Sequence, residues 1–158
     1  MRITSGAFTD GSPIPKRYTE DGNNVSPPLQ WQDVPAGAEQ LALIVEDPDA
    51  PRQDPFVHWL VYNIPASATG LPEAAPRDET LPQPQGATQG RNSFPKNSLG
   101  YRGPAPPKGH GMHHYRFRLF ALEQPVNLGP GISKDALVHA MQGHILAESE
   151  LVGTYERS

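Results

Sequence analysis

Two aspartates separated by a proline follow shortly after an apolar run. The segment DPDAP at 47–51 is separated from LALIV at 41–45 by one residue, Glu46. In an extended chain the side chains of Asp47 and Asp49 point the same way, and the flanking prolines restrict the backbone. Two interpretations stay open: the carboxylates belong to a site, or they make Asx-type turns with nearby backbone groups.

A histidine opens the next apolar run. His58 is the first residue of HWLVYNI at 58–64. An imidazole in this position is either a hydrogen-bonded core group or a functional donor, acceptor or base, and the sequence leaves both readings open.

A loop rich in glycine and proline precedes a third run of apolar residues. The segment GPAPPKGHGMHHY at 103–115 places His113 and Tyr115 on one face of the strand that follows. Loop amides, an imidazole and a phenol are all suitable donors to an anion. His114 points to the opposite face, where we expect it to be structural or exposed.

The elements that position these residues are predicted by three apolar runs. We predict buried strands at 41–45 and 58–64, and a strand at 114–122. In the third strand one face carries Tyr115, Phe117, Leu119 and Ala121, and the other carries His114, Arg116, Arg118 and Phe120. The second and third strands are separated by about fifty residues rich in proline, glycine and glutamine, and a loop of that length is either functional or partly structured.

The C-terminal part carries the helical signals. Ser133 is a suitable N-cap for a helix through Met141–Gln142 that ends at Gly143. We predict a second short helix at Ile145–Val152 and a return to an edge strand at 153–156. Strands first and helices last favour a mainly β fold, an antiparallel sheet core with short C-terminal helices packed at one end.

Composition excludes several classes of function. A chain of 158 residues fits one domain, 1–158, and a net charge of −4 argues against a sequence-independent grip on nucleic acid. The absence of cysteine excludes disulfides, thiol nucleophiles and thiolate metal sites. The N-terminal stretch has no apolar core of the signal-peptide type, and the apolar runs are too short for an integral membrane segment, so we expect a cytoplasmic protein.

Together these segments resemble the phosphatidylethanolamine-binding (Raf kinase inhibitor-like) protein family, bacterial branch. The resemblance is carried, in order, by YTEDGNNVSPPLQW, DPDAP, HWLVYNIP, GYRGPAPPKGHGMHHYRFRLFAL and GHILAESELVGTYER. It spans nearly the whole chain. The resemblance implies an antiparallel Greek-key β-sandwich-like core with a small pocket near one end, which in the family binds phosphate, acetate-like anions or the phosphatidylethanolamine headgroup.

Carried over residue by residue, the resemblance implies a set of ligand-binding residues. They are Asp47, Asp49, His58, Gly103, Ala105, Pro106, His113 and Tyr115. Two positions depart from the family pattern: Ala105 stands where animal members typically have glycine, and His114 where many members have arginine. The chain also ends soon after TYER, without the extra C-terminal helix of the mammalian type, so kinase inhibition is not transferred to it.

We expect a binding protein rather than an enzyme. The predicted function is binding of a small anion, phosphate or a phosphoryl headgroup such as phosphoethanolamine, in a regulatory role, without a cofactor. The alternative is a hydrolase acting on a phosphoester or ester through the aspartates and histidines. A metal site is not expected, because His113 and His114 diverge along a strand. A third reading is an interaction protein for an unknown protein partner, and the resemblance also implies a possible homodimer.

Overall fold

The apolar runs at 41–45 and 58–64 form neighbouring strands in the middle of a β-sheet. The computed structural model describes residues 1–158, apart from the side chain of Asn97. Its strands are Arg2–Thr4 (β1), Leu29–Gln32 (β2), Gln40–Asp47 (β3), Phe56–Pro65 (β4), Gly70–Leu71 (β5), Thr88–Gln89 (β6), His113–Leu122 (β7) and Ile145–Tyr155 (β8). Helix α1 spans Lys134–Met141, and short 3-10 helices lie at Lys16–Tyr18 and Pro95–Asn97.

The strands form two antiparallel sheets. The larger sheet has the order β6-β4-β3-β7-β8, and the smaller one has the order β1-β2-β5. The predicted mainly β, antiparallel architecture is therefore confirmed. None of the helices in the described part of the chain is long and apolar enough to cross a membrane.

Strand β3 is buried on both of its faces. Leu41, Leu43 and Val45 pack with the smaller sheet, whereas Ala42 and Ile44 pack in a second cluster that includes residues of α1. A strand covered on both sides has no solvent-facing positions, which is why LALIV contains no polar residue. The same double coverage places Phe117 and Phe120 of β7 in opposite layers, as the alternation of that strand predicted.

The C-terminal part confirms one predicted element and corrects another. Helix α1 begins after Ser133, whose hydroxyl accepts a hydrogen bond from the amide of Ala136, and Gly143 follows with φ of 81°. The predicted second helix at Ile145–Val152 is wrong, because these residues belong to β8, which pairs with β7 from Leu122 back to His113. Alanine, glutamate and leucine favour helix locally, but long-range pairing with β7 outweighs that weak preference.

The long segment between β4 and β7 is partly structured around one buried glutamine. The amide oxygen of Gln89 accepts a hydrogen bond of 2.6 Å from the indole of Trp59. Its amide nitrogen donates to the carbonyl oxygens of Pro76 and Asp78 at 2.8 and 2.7 Å. Through these hydrogen bonds the side chain of Gln89 helps to hold this segment against the larger sheet, which carries the cavity described below.

Replacing Gln89 with leucine is expected to lower the free energy of unfolding by about 2–4 kcal/mol, because it leaves a buried indole N–H and two carbonyl groups unpaired. Urea unfolding followed by circular dichroism measures the change. Gln85→Leu, an exposed glutamine in the same segment, is the control and is expected to change the free energy by less than about 0.5 kcal/mol. Equal effects from the two substitutions would show that the hydrogen bonds of Gln89 do not stabilise the fold.

Candidate functional site

A cavity of about 310 Å³ lies where β3 ends and where β4 and β7 begin. These ends meet because β3 runs antiparallel to both neighbours. The cavity is lined by Asp47, Ala50, Pro51, Arg52, Phe56, His58, Phe94, Ala105, Pro106, Pro107, His113 and Tyr115. The sheet thus gathers residues that lie far apart in the sequence at one end of the fold.

Most of the residues predicted for the site lie around this cavity. The lining includes Asp47, His58, Ala105, Pro106, His113 and Tyr115. Two predicted residues, Asp49 and Gly103, are not among the lining residues. Hydrogen bonds to other parts of the chain hold both residues outside the lining.

The two aspartates of DPDAP point to different partners. Asp47 is 3 % exposed, and its Oδ2 accepts a hydrogen bond from Nδ1 of His113 at 2.6 Å. Its other oxygen accepts the amide of Asp49 at 2.8 Å, so the Asx-turn interpretation of Asp47 also holds. The expectation that both carboxylates point the same way is wrong, because the chain turns after β3 instead of remaining extended.

Asp49 instead fixes the start of β7 from outside the cavity. Its Oδ2 accepts hydrogen bonds from the backbone amide and from Nδ1 of His114, both at 2.8 Å. Partial burial opposes ionisation, but these hydrogen bonds hold the pKa of Asp49 below its ordinary value. The side chain of His114 is 52 % exposed, in agreement with the prediction that it points away from the pocket.

Gly103 supports the loop through a close backbone contact. Its amide donates to the side-chain oxygen of Asn24 at 2.7 Å. A Cβ atom at this position would collide with the carbonyl oxygen of Tyr18. Glycine is therefore needed here so that two backbone segments approach closely.

His58 offers one free ring nitrogen to the cavity. It is 4 % exposed, and its Nδ1 donates to the carbonyl oxygen of Arg102 at 2.6 Å. Burial lowers the pKa of His58 to about 4, although the Arg102 carbonyl and the charge of Asp47 act in the opposite direction. His58 is therefore neutral near neutral pH, and its Nε2 carries a lone pair without a partner among the described residues.

Tyr115 stands beside His58 with its hydroxyl free. The two rings pack edge to face with centroids 5.2 Å apart, and Tyr115 is 1 % exposed. Burial, together with the negative charge of Asp47, raises the pKa of Tyr115 well above its ordinary value. The hydroxyl stays protonated at all working pH values, and it has no hydrogen-bond partner among the residues the structure describes.

His113 is hydrogen-bonded at both ring nitrogens. Besides the contact with Asp47, its Nε2 lies 2.6 Å from Nδ1 of His110, and the ring is almost wholly buried. His110 is exposed on the loop before β7. No sequence pattern indicated that these two rings meet, because His110 precedes the strand and the direction of its side chain depends on the loop.

Six lining residues were missing from the predicted site, and three of them bring aromatic rings or a charge: Arg52, Phe56 and Phe94. The rings of Phe56 and Phe94 meet edge to face at 4.8 Å, and the guanidinium of Arg52 lies 5.4 Å from the centre of the Phe56 ring. Phe56 sits two residues before His58 in β4, so strand alternation was a signal that could have found it. Arg52 follows DPDAP directly, whereas Phe94 lies in an irregular segment with no periodic signal.

The polar groups of the site do not resemble a metal centre. Among the residues that the structure describes, no three or more histidine, aspartate or glutamate side chains are grouped so as to hold a metal ion. Asp47 and His113 satisfy each other, and His114 points away. What the arrangement provides chemically is a partly apolar cavity with a tyrosine hydroxyl, an imidazole and a guanidinium free for a ligand.

The comparison with protein families gives a match over nearly the whole chain. The family model described as phosphatidylethanolamine-binding protein matches residues 4–156. The UPF0098 protein of Methanothermobacter thermautotrophicus is 48% identical over 157 residues, which is 99% of this chain and 99% of that protein.

Solved structures agree with this match. A putative phosphatidylethanolamine-binding protein homologue from Chlamydia trachomatis superposes with a TM-score of 0.87 and is 42% identical, covering 99% of this chain and 97% of that one. Escherichia coli YbcL, a member of the mammalian family of such proteins, gives a TM-score of 0.91 at 34% identity, covering 99% and 98% of the two chains.

Proposed function

Because the chain belongs to the phosphatidylethanolamine-binding protein family, we propose that its cavity binds a small anion. The ligand is phosphate or a phosphoryl headgroup such as that of phosphoethanolamine. The observation that carries the proposal is the set of polar groups without protein partners around one cavity: Nε2 of His58, the hydroxyl of Tyr115 and the guanidinium of Arg52.

The charges around the cavity are compatible with an anion despite the buried carboxylate. The carboxylate of Asp47 accepts a hydrogen bond from Nδ1 of His113, so it is directed at that imidazole and not at the ligand. Tyr115 donates without charge, and Arg52 brings a permanent positive charge to the rim. Such donors bind a phosphoryl oxygen through charge-assisted hydrogen bonds.

Binding is favoured over hydrolysis by what the cavity wall contains. No serine, threonine or cysteine occurs among the described lining residues, and the raised pKa of Tyr115 keeps its hydroxyl protonated, so an activated hydroxyl or thiol nucleophile is missing there. The hydrolase alternative is tested with p-nitrophenyl phosphate and p-nitrophenyl acetate. Turnover that disappears in a His113→Ala protein would favour that alternative.

The proposed function is tested by titrating the protein with inorganic phosphate and with phosphoethanolamine, followed by NMR. We expect saturable shifts at the ring of His58 and at amides near Ala105 and His113, with little change at α1. Arg52→Ala is expected to weaken binding about twofold to fivefold, as suits an exposed charge. The control is Arg91→Ala, an exposed arginine outside this cavity. Shifts confined to residues away from the cavity would contradict the proposal.

Three broader features remain our proposals: a regulatory role, a cytoplasmic location and a homodimer. They rest on the family resemblance and the sequence. Light scattering coupled to size-exclusion chromatography tests the homodimer, and a mass of one chain at high protein concentration would rule it out.

A further inference from the structure

His113 has no ring nitrogen available for a ligand in the arrangement described above. Its Nδ1 is held by Asp47 and its Nε2 by His110, each at 2.6 Å. An imidazole has only these two polar atoms. An anion in the cavity therefore finds His58 and Tyr115 without protein partners, whereas both ring nitrogens of His113 are already occupied.

The positions of the protons on the rings of His113 and His110 determine what must change when an anion binds. Ionised Asp47 only accepts hydrogen bonds, so Nδ1 of His113 carries a proton. The contact between Nε2 of His113 and Nδ1 of His110 holds one further proton, on one ring or the other. An anion only accepts hydrogen bonds. It can therefore bind Nε2 of His113 only when that nitrogen carries the proton and no longer contacts His110.

His110 sits on a part of the loop that is suited to movement. It is exposed and lies between Gly109 and Gly111, with φ of 73° and 95°. A Cβ atom at either glycine would have no neighbour within 4 Å, so packing does not hold this turn. The backbone amide of His110 bonds to the carbonyl of Pro107 at 3.1 Å, and Nε2 of its ring has no partner among the described residues.

The C-terminal residues fix the base of the same loop. The amide of Gly109 donates to the carbonyl oxygen of Arg157 at 3.1 Å, and Arg157 itself donates to the carbonyl of Pro106 at 3.4 Å. Arg157 is in turn held by the carboxylate of Asp21. The loop is thus anchored up to Gly109, and movement of His110 does not require the cavity wall at Pro106 to shift.

We propose that the ring of His110 competes with the ligand for Nε2 of His113, and we call this ring the plug. The inference rests on the proposed anion-binding function and adds a specificity-determining residue to it. Only a ligand whose oxygen is a strong acceptor, such as a phosphoryl group, replaces the imidazole of His110. A neutral ligand of similar size leaves the His110–His113 contact in place.

The test compares inorganic phosphate binding to the wild-type protein and to His110→Ala by isothermal titration calorimetry. Removal of the competing hydrogen bond is expected to tighten phosphate binding about threefold to tenfold. In ligand-free protein the same substitution is expected to shift the ¹⁵N signal of Nε2 of His113, and this difference is expected to vanish at saturating phosphate. His114→Ala is the matched control, because it removes an exposed histidine outside the cavity, and it is expected to leave both readouts unchanged.

The outcomes separate the plug from the function on which it rests. Equal affinities, or weaker binding by His110→Ala, would overturn the plug and leave the anion site standing. No binding of phosphate by either protein would remove the proposed function and the plug together. Suppose that His110→Ala binds phosphate more tightly but does not shift the ¹⁵N signal of Nε2 of His113 in ligand-free protein. This result would also overturn the plug, because the higher affinity would then not come from losing the contact with that ring.

Discussion

Replacing His113 with alanine is expected to weaken phosphate binding about tenfold to a hundredfold, which corresponds to about 1.5–3 kcal/mol for one charge-assisted hydrogen bond. The substitution also leaves the carboxylate of Asp47, which is 3 % exposed, without its partner. A buried unpaired carboxylate repels an incoming anion or must first take up a proton. Calorimetric titration with phosphate measures the loss.

A second substitution separates these two effects. Asp47→Asn keeps an oxygen acceptor for the amide of Asp49 but removes the negative charge. We expect the double variant His113→Ala, Asp47→Asn to bind phosphate about threefold or more tighter than His113→Ala alone. His114→Ala, which removes a histidine paired with Asp49 outside the cavity, is expected to change the binding free energy by less than about 0.5 kcal/mol. A larger loss from His114→Ala than from His113→Ala would contradict the proposed site.

The second large effect concerns pH and His58. In the ligand-free protein burial lowers the pKa of His58 to about 4, so at neutral pH its Nε2 presents a lone pair to the cavity. A bound anion favours the protonated ring and raises this pKa. Affinity is therefore highest below the ligand-free pKa, falls as pH rises towards the pKa of the complex, and becomes constant above it.

The expected result is binding that is about tenfold or more tighter at about pH 5.5 than at about pH 8. The probe is dimethyl phosphate, whose single charge does not change over this range, so the ligand contributes no titration of its own. Tyr115 does not contribute, because its raised pKa keeps it protonated throughout. The negative charges of Asp47 and Glu20 favour the charged form of His58 and act in the same direction as the anion.

A variant isolates the contribution of His58 to this profile. In His58→Gln the side-chain amide donates a hydrogen bond at every pH, so the affinity for dimethyl phosphate is expected to vary less between the two pH values. Thermal unfolding of this variant, followed by circular dichroism, establishes that the fold is retained. Equal affinity of the wild-type protein at both pH values would contradict this prediction, because it would show that the anion does not raise the pKa of His58 from about 4 into this range.

The sequence alone determined the central strands and most of the residues that surround the cavity. LALIV and HWLVYNI predicted β3 and β4, because strands buried on both faces leave an uninterrupted apolar run. The alternation of β7 placed His113 and Tyr115 together and His114 on the other side, since successive side chains of a strand point to opposite faces. The order of the motifs also indicated the family.

Only the tertiary structure decided the features that depend on contacts between residues from different parts of the chain. Ile145–Tyr155 became β8 because its pairing with β7 outweighs the helical preference of its residues. Asp49 turned to His114 and Asp47 to His113 because the chain bends after β3, so their spacing in sequence no longer fixed their direction. His110 meets His113 through a glycine-flanked turn whose positive φ angles carry no periodic pattern. Local sequence encodes burial and alternation, whereas such contacts are set by loop geometry and by long-range packing.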